Sequence, residues 1–206
     1  MALALSSPSD IVNLTLTRIG FKGDRVGNLY EGSMVAKLAL DIYAQTRDEM
    51  LRGGDWGFAE RNVNMTLLKT ANVGGYFPPN QWDGNVNPPP PWLFEYAYPD
   101  DTLKVRAIKP APLFVMNFDP QPVVFSIEND KYFTPSRKVI LCNVPDAMLV
   151  YTGQVTDPQL WEADFVESFS AELGLRLAPT LANMDMAKME AADAAQSKAK
   201  ADMTQG

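Results

Sequence analysis

The sequence predicts an α+β fold: a helical bundle formed from both chain ends with an inserted antiparallel β module. Three observations carry this. Apolar residues recur at helical spacing near both ends of the chain. That period disappears from Asn62 to Gly153, where six short β-rich runs replace it. Eleven of the 16 prolines fall between Pro78 and Pro122, and 74–91 reads as a long, irregular, partly polyproline loop. The expected division is residues 1–61 and 157–206 as the helical core, and 62–156 as a β-rich insertion with a long proline-rich loop over 74–91.

Each element follows from local signals. Ser9 is placed to cap a first helix carrying Ile11, Val12, Leu16 and Ile19, with Gly20 at its end. After a glycine-rich loop, Ser33 caps a longer helix whose apolar stripe reads Val35, Leu38, Ala39, Ile42, Tyr43 and Met50, ending at Gly53-Gly54. The strand-like runs are Val63–Leu68, Leu93–Tyr98, Leu103–Ile108, Val123–Glu128, Lys138–Cys142 and Met148–Tyr151, with Asn129-Asp130 as a hairpin turn. Asp157 and Pro158 read as N-cap and N1 of a third helix with Trp161, Phe165, Phe169, Leu173 and Leu177 on one face. Pro179 is expected to end it, and Thr180 to cap a fourth helix reaching about residue 201.

Composition narrows the chemistry. The 206 residues contain no histidine, which removes Ser-His and Cys-His catalysis and imidazole metal ligands. The single cysteine, Cys142, excludes an intrachain disulfide and reads as a small core residue. The net charge of −7 is unevenly spread: −2 over 1–60, 0 over 61–156 and −5 over 157–206. No basic stripe is present for phosphate-driven nucleic-acid binding. The acidic end reads as a solvated helix face. Met1–Leu5 lacks a basic flank and a long apolar run, so no leader is expected, and no window is apolar enough to span a membrane. Glycine-rich phosphate loops are absent, Asn80–Asn85 reads as a turn rather than a cation loop, and no cofactor, metal or catalytic residue is expected.

Two segments look unfinished by themselves. The last helix is rich in alanine and clusters Met184, Met186 and Met189 after Leu181. It reads either as a fraying end or as a helix completed by a partner, for which methionines are adaptable contacts. The 74–91 loop carries Tyr76, Phe77 and Trp82, with Trp92 just beyond it, which argues against plain disorder.

Taken in order, the motifs form a pattern. Asn13, Leu16 and Ile19-Gly20 precede Asp41, Tyr43, Arg47-Asp48 and Leu51; then come Trp56-Gly-Phe-Ala-Glu-Arg61 and Tyr96-Ala-Tyr-Pro-Asp-Asp-Thr-Leu-Lys104. Tyr151-Thr152, Thr156-Asp-Pro158, Trp161, Phe165 and Ala171–Ala178 close the series. This order resembles the head-to-tail adaptor (connector) family of short-tailed phages, of the tail tubular protein A and tail accessory factor type, over most of the chain. The resemblance implies a helical core with a β-rich extension and a virion neck protein assembled in the host cytoplasm. It implies a ring of twelve copies beneath the portal protein. Such a ring extends the DNA channel without sequence-specific binding and offers a platform to the tail nozzle protein and to a fibre or spike. The C-terminal helical segment then reaches the portal, with Leu181, Met184, Met186 and Met189 as its contacts. Trp56, Phe58 and Arg61 are expected either to pack at the helix–β junction or to contact a neighbouring subunit. Tyr76, Trp82 and Trp92 are expected to form a peripheral contact. The long 74–91 loop departs from the family pattern, as does Tyr98-Pro99-Asp100 where a Leu-Pro step is common. Two rivals remain: peptidoglycan hydrolysis, and a carbohydrate-binding β module that uses Trp82 and Trp92 on a helical scaffold.

Overall fold

The computed structural model describes residues 7–71, 82–110 and 123–204, with the side chains of 184–204 outside that description. The class is α+β. The chain divides into two compact units, Met1–Met50 with Val155–Gly206, and Leu51–Gln154.

The first unit holds three helices: α1 (Pro8–Arg18), α2 (Met34–Gly53, whose last turn crosses into the second unit) and α3 (Ala163–Thr204). The cap of α1 is Ser7, two residues earlier than the expected Ser9. Its hydroxyl accepts from the Asp10 N–H and the Asp10 carboxylate accepts from the Ser7 N–H, a reciprocal capping box with Pro8 at the first helical position. At the other end, Phe21 N–H donates to Leu16 C=O and Gly20 N–H to Thr17 C=O. This Schellman arrangement requires the left-handed φ of +72° that Gly20 adopts. Asn13 then pins the following loop through both polar groups of Val26, at 2.8 and 2.9 Å.

Ser33 caps α2 as expected, accepting from Ala36 N–H. The buried face, however, is Ala36, Ala39, Tyr43, Thr46 and Arg47, whereas Val35, Leu38 and Ile42 are only half-buried. The seam is turned by about one residue relative to the expected stripe, with two alanines on the buried face. On α3, Phe165, Phe169, Leu173, Leu177 and Leu181 are all buried at a spacing of four. Phe165 and Phe169 stack at 6.0 Å, Trp161 meets both rings edge-on at 4.9 and 5.2 Å, and Tyr43 meets Phe169 edge-on at 5.0 Å. Edge-to-face pairs of this kind add to simple burial. Against α1, Gly174 leaves room for Ile19, and Arg18 bonds the Glu167 carbonyl and the Ser170 hydroxyl at 2.8 and 2.9 Å.

Two expectations for this end are corrected. Asp157 and Pro158 open a 3₁₀ turn, Pro158–Leu160, and α3 begins only at Ala163. Pro179 does not end the helix, and Thr180 caps nothing: α3 runs unbroken for 42 residues. An interior proline costs about 3 kcal/mol. Here Pro179 is exposed while Leu177 and Leu181 are both buried on one face across it, so a break would lift Leu181 out of the core.

The second unit is two antiparallel sheets. One has order β1 (Glu60–Asn64), β7 (Met148–Gly153), β4 (Thr102–Lys109); the other has β2 (Leu67–Thr70), β3 (Phe94–Ala97), β6 (Arg137–Cys142), β5 (Phe125–Asp130). The expected single run Val63–Leu68 is thus split between two sheets, with Met65 N–H bonding Ala147 C=O at the crossing. Asn129-Asp130 is not a turn but the end of β5; Lys131–Ser136 makes the connection. Tyr96, Ile140 and Cys142 from one sheet pack with Ile108, Leu149 and Tyr151 from the other. Cys142 is fully buried, and burial raises its thiol pKa.

Candidate functional site

Strand β6 buries all four of Val139, Ile140, Leu141 and Cys142. Successive strand residues point to opposite faces, so the four-stranded sheet is covered on both sides. Ile140 and Cys142 face the other sheet. Val139 and Leu141 face outward into a cavity of about 270 Å³, roofed by the segment around Trp82–Pro89. Asp83 shapes that segment: its carboxylate accepts from the Asn85 N–H at 2.9 Å and its carbonyl from the Asn87 N–H at 2.9 Å. The Asn85 backbone bond holds the Asp83 carboxyl below its ordinary pKa. The Asn80–Asn85 stretch is therefore a turn over its described part. Trp82 is fixed by its indole N–H donating to Pro88 C=O at 3.0 Å, and its ring meets Tyr132 edge-on at 5.7 Å. The Tyr132 ring packs directly on Gly84, so a Cβ there would require that ring to shift.

The cavity floor carries three ionisable side chains in a buried group. Lys69 and Glu95 are cross-strand partners on β2 and β3, and Asp130 ends β5. Lys69 Nζ donates to Asp130 Oδ2 at 2.7 Å and to the Gly84 carbonyl at 3.0 Å, so it ties the roof to the sheet. Glu95 Oε1 lies 3.2 Å from the same ammonium but accepts no hydrogen bond, and Glu95 is only 1% exposed. Arg137 stands 3.7 Å from Asp130. Burial raises the Glu95 pKa above its ordinary value, and Lys69 only partly offsets that. Burial pushes Asp130 the same way, but hydrogen bonds from Lys69 and the Tyr132 N–H outweigh it and leave the pKa lowered.

These opposite shifts give a pH signature. A carboxyl with a raised folded pKa loses stabilisation as pH climbs through that value, whereas one with a lowered pKa loses it as pH falls. Above the ordinary Glu value of 4.5, Glu95 therefore costs stability progressively. Glu95→Gln should flatten the fall in melting temperature between pH 4.5 and neutrality. Parallel melting curves for wild type and variant across that window would refute this.

The cluster does not suit two-carboxylate hydrolysis. Retaining and inverting glycosidases hold their carboxyls about 5–10 Å apart around the scissile bond. Glu95 and Asp130 instead share one buried cation, Lys69. Among the described residues, no group of three or more Cys, Asp or Glu side chains is arranged to hold a metal ion, and no helix is long and apolar enough to cross a membrane.

The residues singled out in the sequence are distributed as follows. Trp82 lines the cavity with Tyr132, while Trp92 does not reach it and is held in a turn by its N–H bond to Pro89 C=O. Tyr76 lies outside the described residues. Trp56 and Phe58 pack at 6.3 Å, and the Trp56 carbonyl accepts from Arg106 at 2.8 Å. Arg61 bonds Asp101, which also accepts from the Tyr151 hydroxyl at 3.0 Å. Leu181, expected as a portal contact, is 2% exposed and is spent within the helical unit. Met184, Met186 and Met189 sit on α3, but their side chains lie outside the described residues. Sequence reasoning missed Lys69, Glu95, Asp130 and Tyr132. The one local sign was a glutamate in the middle of the apolar run Leu93–Tyr98. Compared with known proteins, the chain matches no family model and no curated sequence.

Proposed function

We propose that this chain is a ring-forming head-to-tail adaptor of a short-tailed phage, joining the portal to the tail nozzle and extending the DNA channel. The order of motifs from Asn13 to Ala178 supports the reading, as does the architecture, in which both chain ends meet in one helical unit and the β unit is inserted between them. The observation that carries it is α3. At 1.5 Å per residue its 42 residues span about 63 Å, and it continues to Thr204, well beyond its last described core position, Leu181. A helix of this length, ending in an alanine-rich stretch, is suited to packing on another chain. Met184, Met186 and Met189 are the apolar side chains assigned to the portal, and Leu181 is no longer among them. A net charge of −7 also suits a wall that passes DNA without gripping phosphate. The ring would hold about twelve copies in the virion neck, presenting the nozzle, and a fibre or spike, with their platform.

The test is assembly. Mixed with the portal protein of the same virion, the full chain should form a ring-sized complex by mass photometry. A chain ending at Asn183 should keep its melting temperature and fail to bind. A full chain that forms no complex, or a shortened one that binds with normal affinity, would refute the proposal.

A further inference from the structure

We propose that the outer cavity of the four-stranded sheet binds a neutral sugar, one pyranose ring. This goes beyond the adaptor reading and does not depend on it. The cavity measures about 270 Å³, just below the roughly 300–1,000 Å³ of drug-sized ligand sites, so it fits one ring rather than a chain.

Three features select the chemistry. First, Glu95 lines the cavity, and its buried Oε1, ion-paired with Lys69 at 3.2 Å, accepts no hydrogen bond. Buried polar atoms in this state call for a partner, and a ligand hydroxyl supplies one. Second, the lining mixes acceptors with cations: Glu95, Glu128 and Asp130 against Lys69 and Lys131. Vicinal sugar hydroxyls each donate and accept, so they match such a mixture. The near-cancellation of charge disfavours an ionic ligand, whose charge would go unpaired. Third, Trp82 and Tyr132 stand edge-to-face at one side, with Tyr132 half-exposed. An aromatic face beside polar groups is what the C–H face of a pyranose packs against. The site is preformed, because Lys69 ties the roof to the sheet through the Gly84 carbonyl and the Trp82 indole braces the roof internally on the Pro88 carbonyl. Holding that roof occupies Lys69 and Asp130 in hydrogen bonds, but it leaves Glu95 Oε1 without one.

The experiment is saturation-transfer NMR with a tryptophan-fluorescence titration on the full chain. The probes are methyl glycosides of glucose, galactose, mannose and N-acetylglucosamine, with glucuronate and glucosamine as charged controls. A ligand of this size should bind with a Kd of about 1 mM. Trp82→Ala and Glu95→Gln should each weaken binding about tenfold, while Trp92→Ala should leave it unchanged. Short oligomers of the best sugar tell a free ring from a glycan end: equal affinity indicates the ring, tighter binding the end, and both support the site. Absence of saturation by every neutral sugar would overturn the proposal. So would preference for a charged control, or binding that survives Trp82→Ala. Should Glu95→Gln fail to fold, the Trp82→Ala arm decides alone. Failure here leaves portal binding untouched, and the converse holds.

Discussion

Phe169→Ala should destabilise the chain by about 3–5 kcal/mol, as deletion of a fully buried phenylalanine does. Phe169 is 0% exposed and its ring touches Tyr43, Trp161 and Phe165. Its removal takes the apolar area of the ring from the core and also breaks three aromatic contacts, each worth about 0.5–1.5 kcal/mol beyond burial. The neighbours cannot collapse easily into the gap. Trp161 is held by its indole N–H bond to Val155 C=O, and Tyr43 is fixed on α2. A melting-temperature fall of about 6–20 °C is expected from such a loss. Leu175→Ala on the same helix is the control: Leu175 is 72% exposed and should change stability by no more than about 0.5 kcal/mol. Equal effects at the two positions would show that this face of α3 is not the core.

Lys69→Met should cost a similar amount, about 3–5 kcal/mol, for a different reason. It removes the cation shared by Asp130 and Glu95 and frees the Gly84 carbonyl, leaving buried acceptors without partners. Methionine keeps most of the side-chain volume, so the effect reads charge rather than a cavity. Asp130 retains the Tyr132 N–H at 3.0 Å and Arg137 at 3.7 Å, so Glu95 is left the worse placed. Adding Glu95→Gln to Lys69→Met should therefore recover part of the loss, a coupling of about 1–3 kcal/mol. The penalty should also shrink as pH falls through the carboxyl range, because protonated carboxyls need no cation. A loss independent of both pH and the second substitution would mean that Lys69 acts only through its bond to Gly84.

The two ends and the middle of the chain separate on sequence period alone, because period reports which face is buried. Local chemistry likewise placed Ser33, Gly20 and five of the six β-rich runs, while Val63–Leu68 is divided between two strands. The choice between Ser7 and Ser9 needed the Asp10 carboxylate in place, as both serines are plausible caps by themselves. Pro179 misled because its local cost is real, and only the burial of Leu181 beyond it outweighs that cost. The cavity was the least legible part. Lys69, Glu95 and Asp130 are far apart in the chain, and nothing near any one of them specifies the others. Cross-strand register sets Lys69 beside Glu95, and strand order brings Asp130 into reach. The sequence alone therefore determined that both ends are helical and the middle extended, because that depends on neighbours a few residues away, while the boundaries at Ala163, Pro179 and Asp130 did not follow from it. Which charges meet in the interior was decided by tertiary structure, because desolvation and pairing arise only once distant strands share a face.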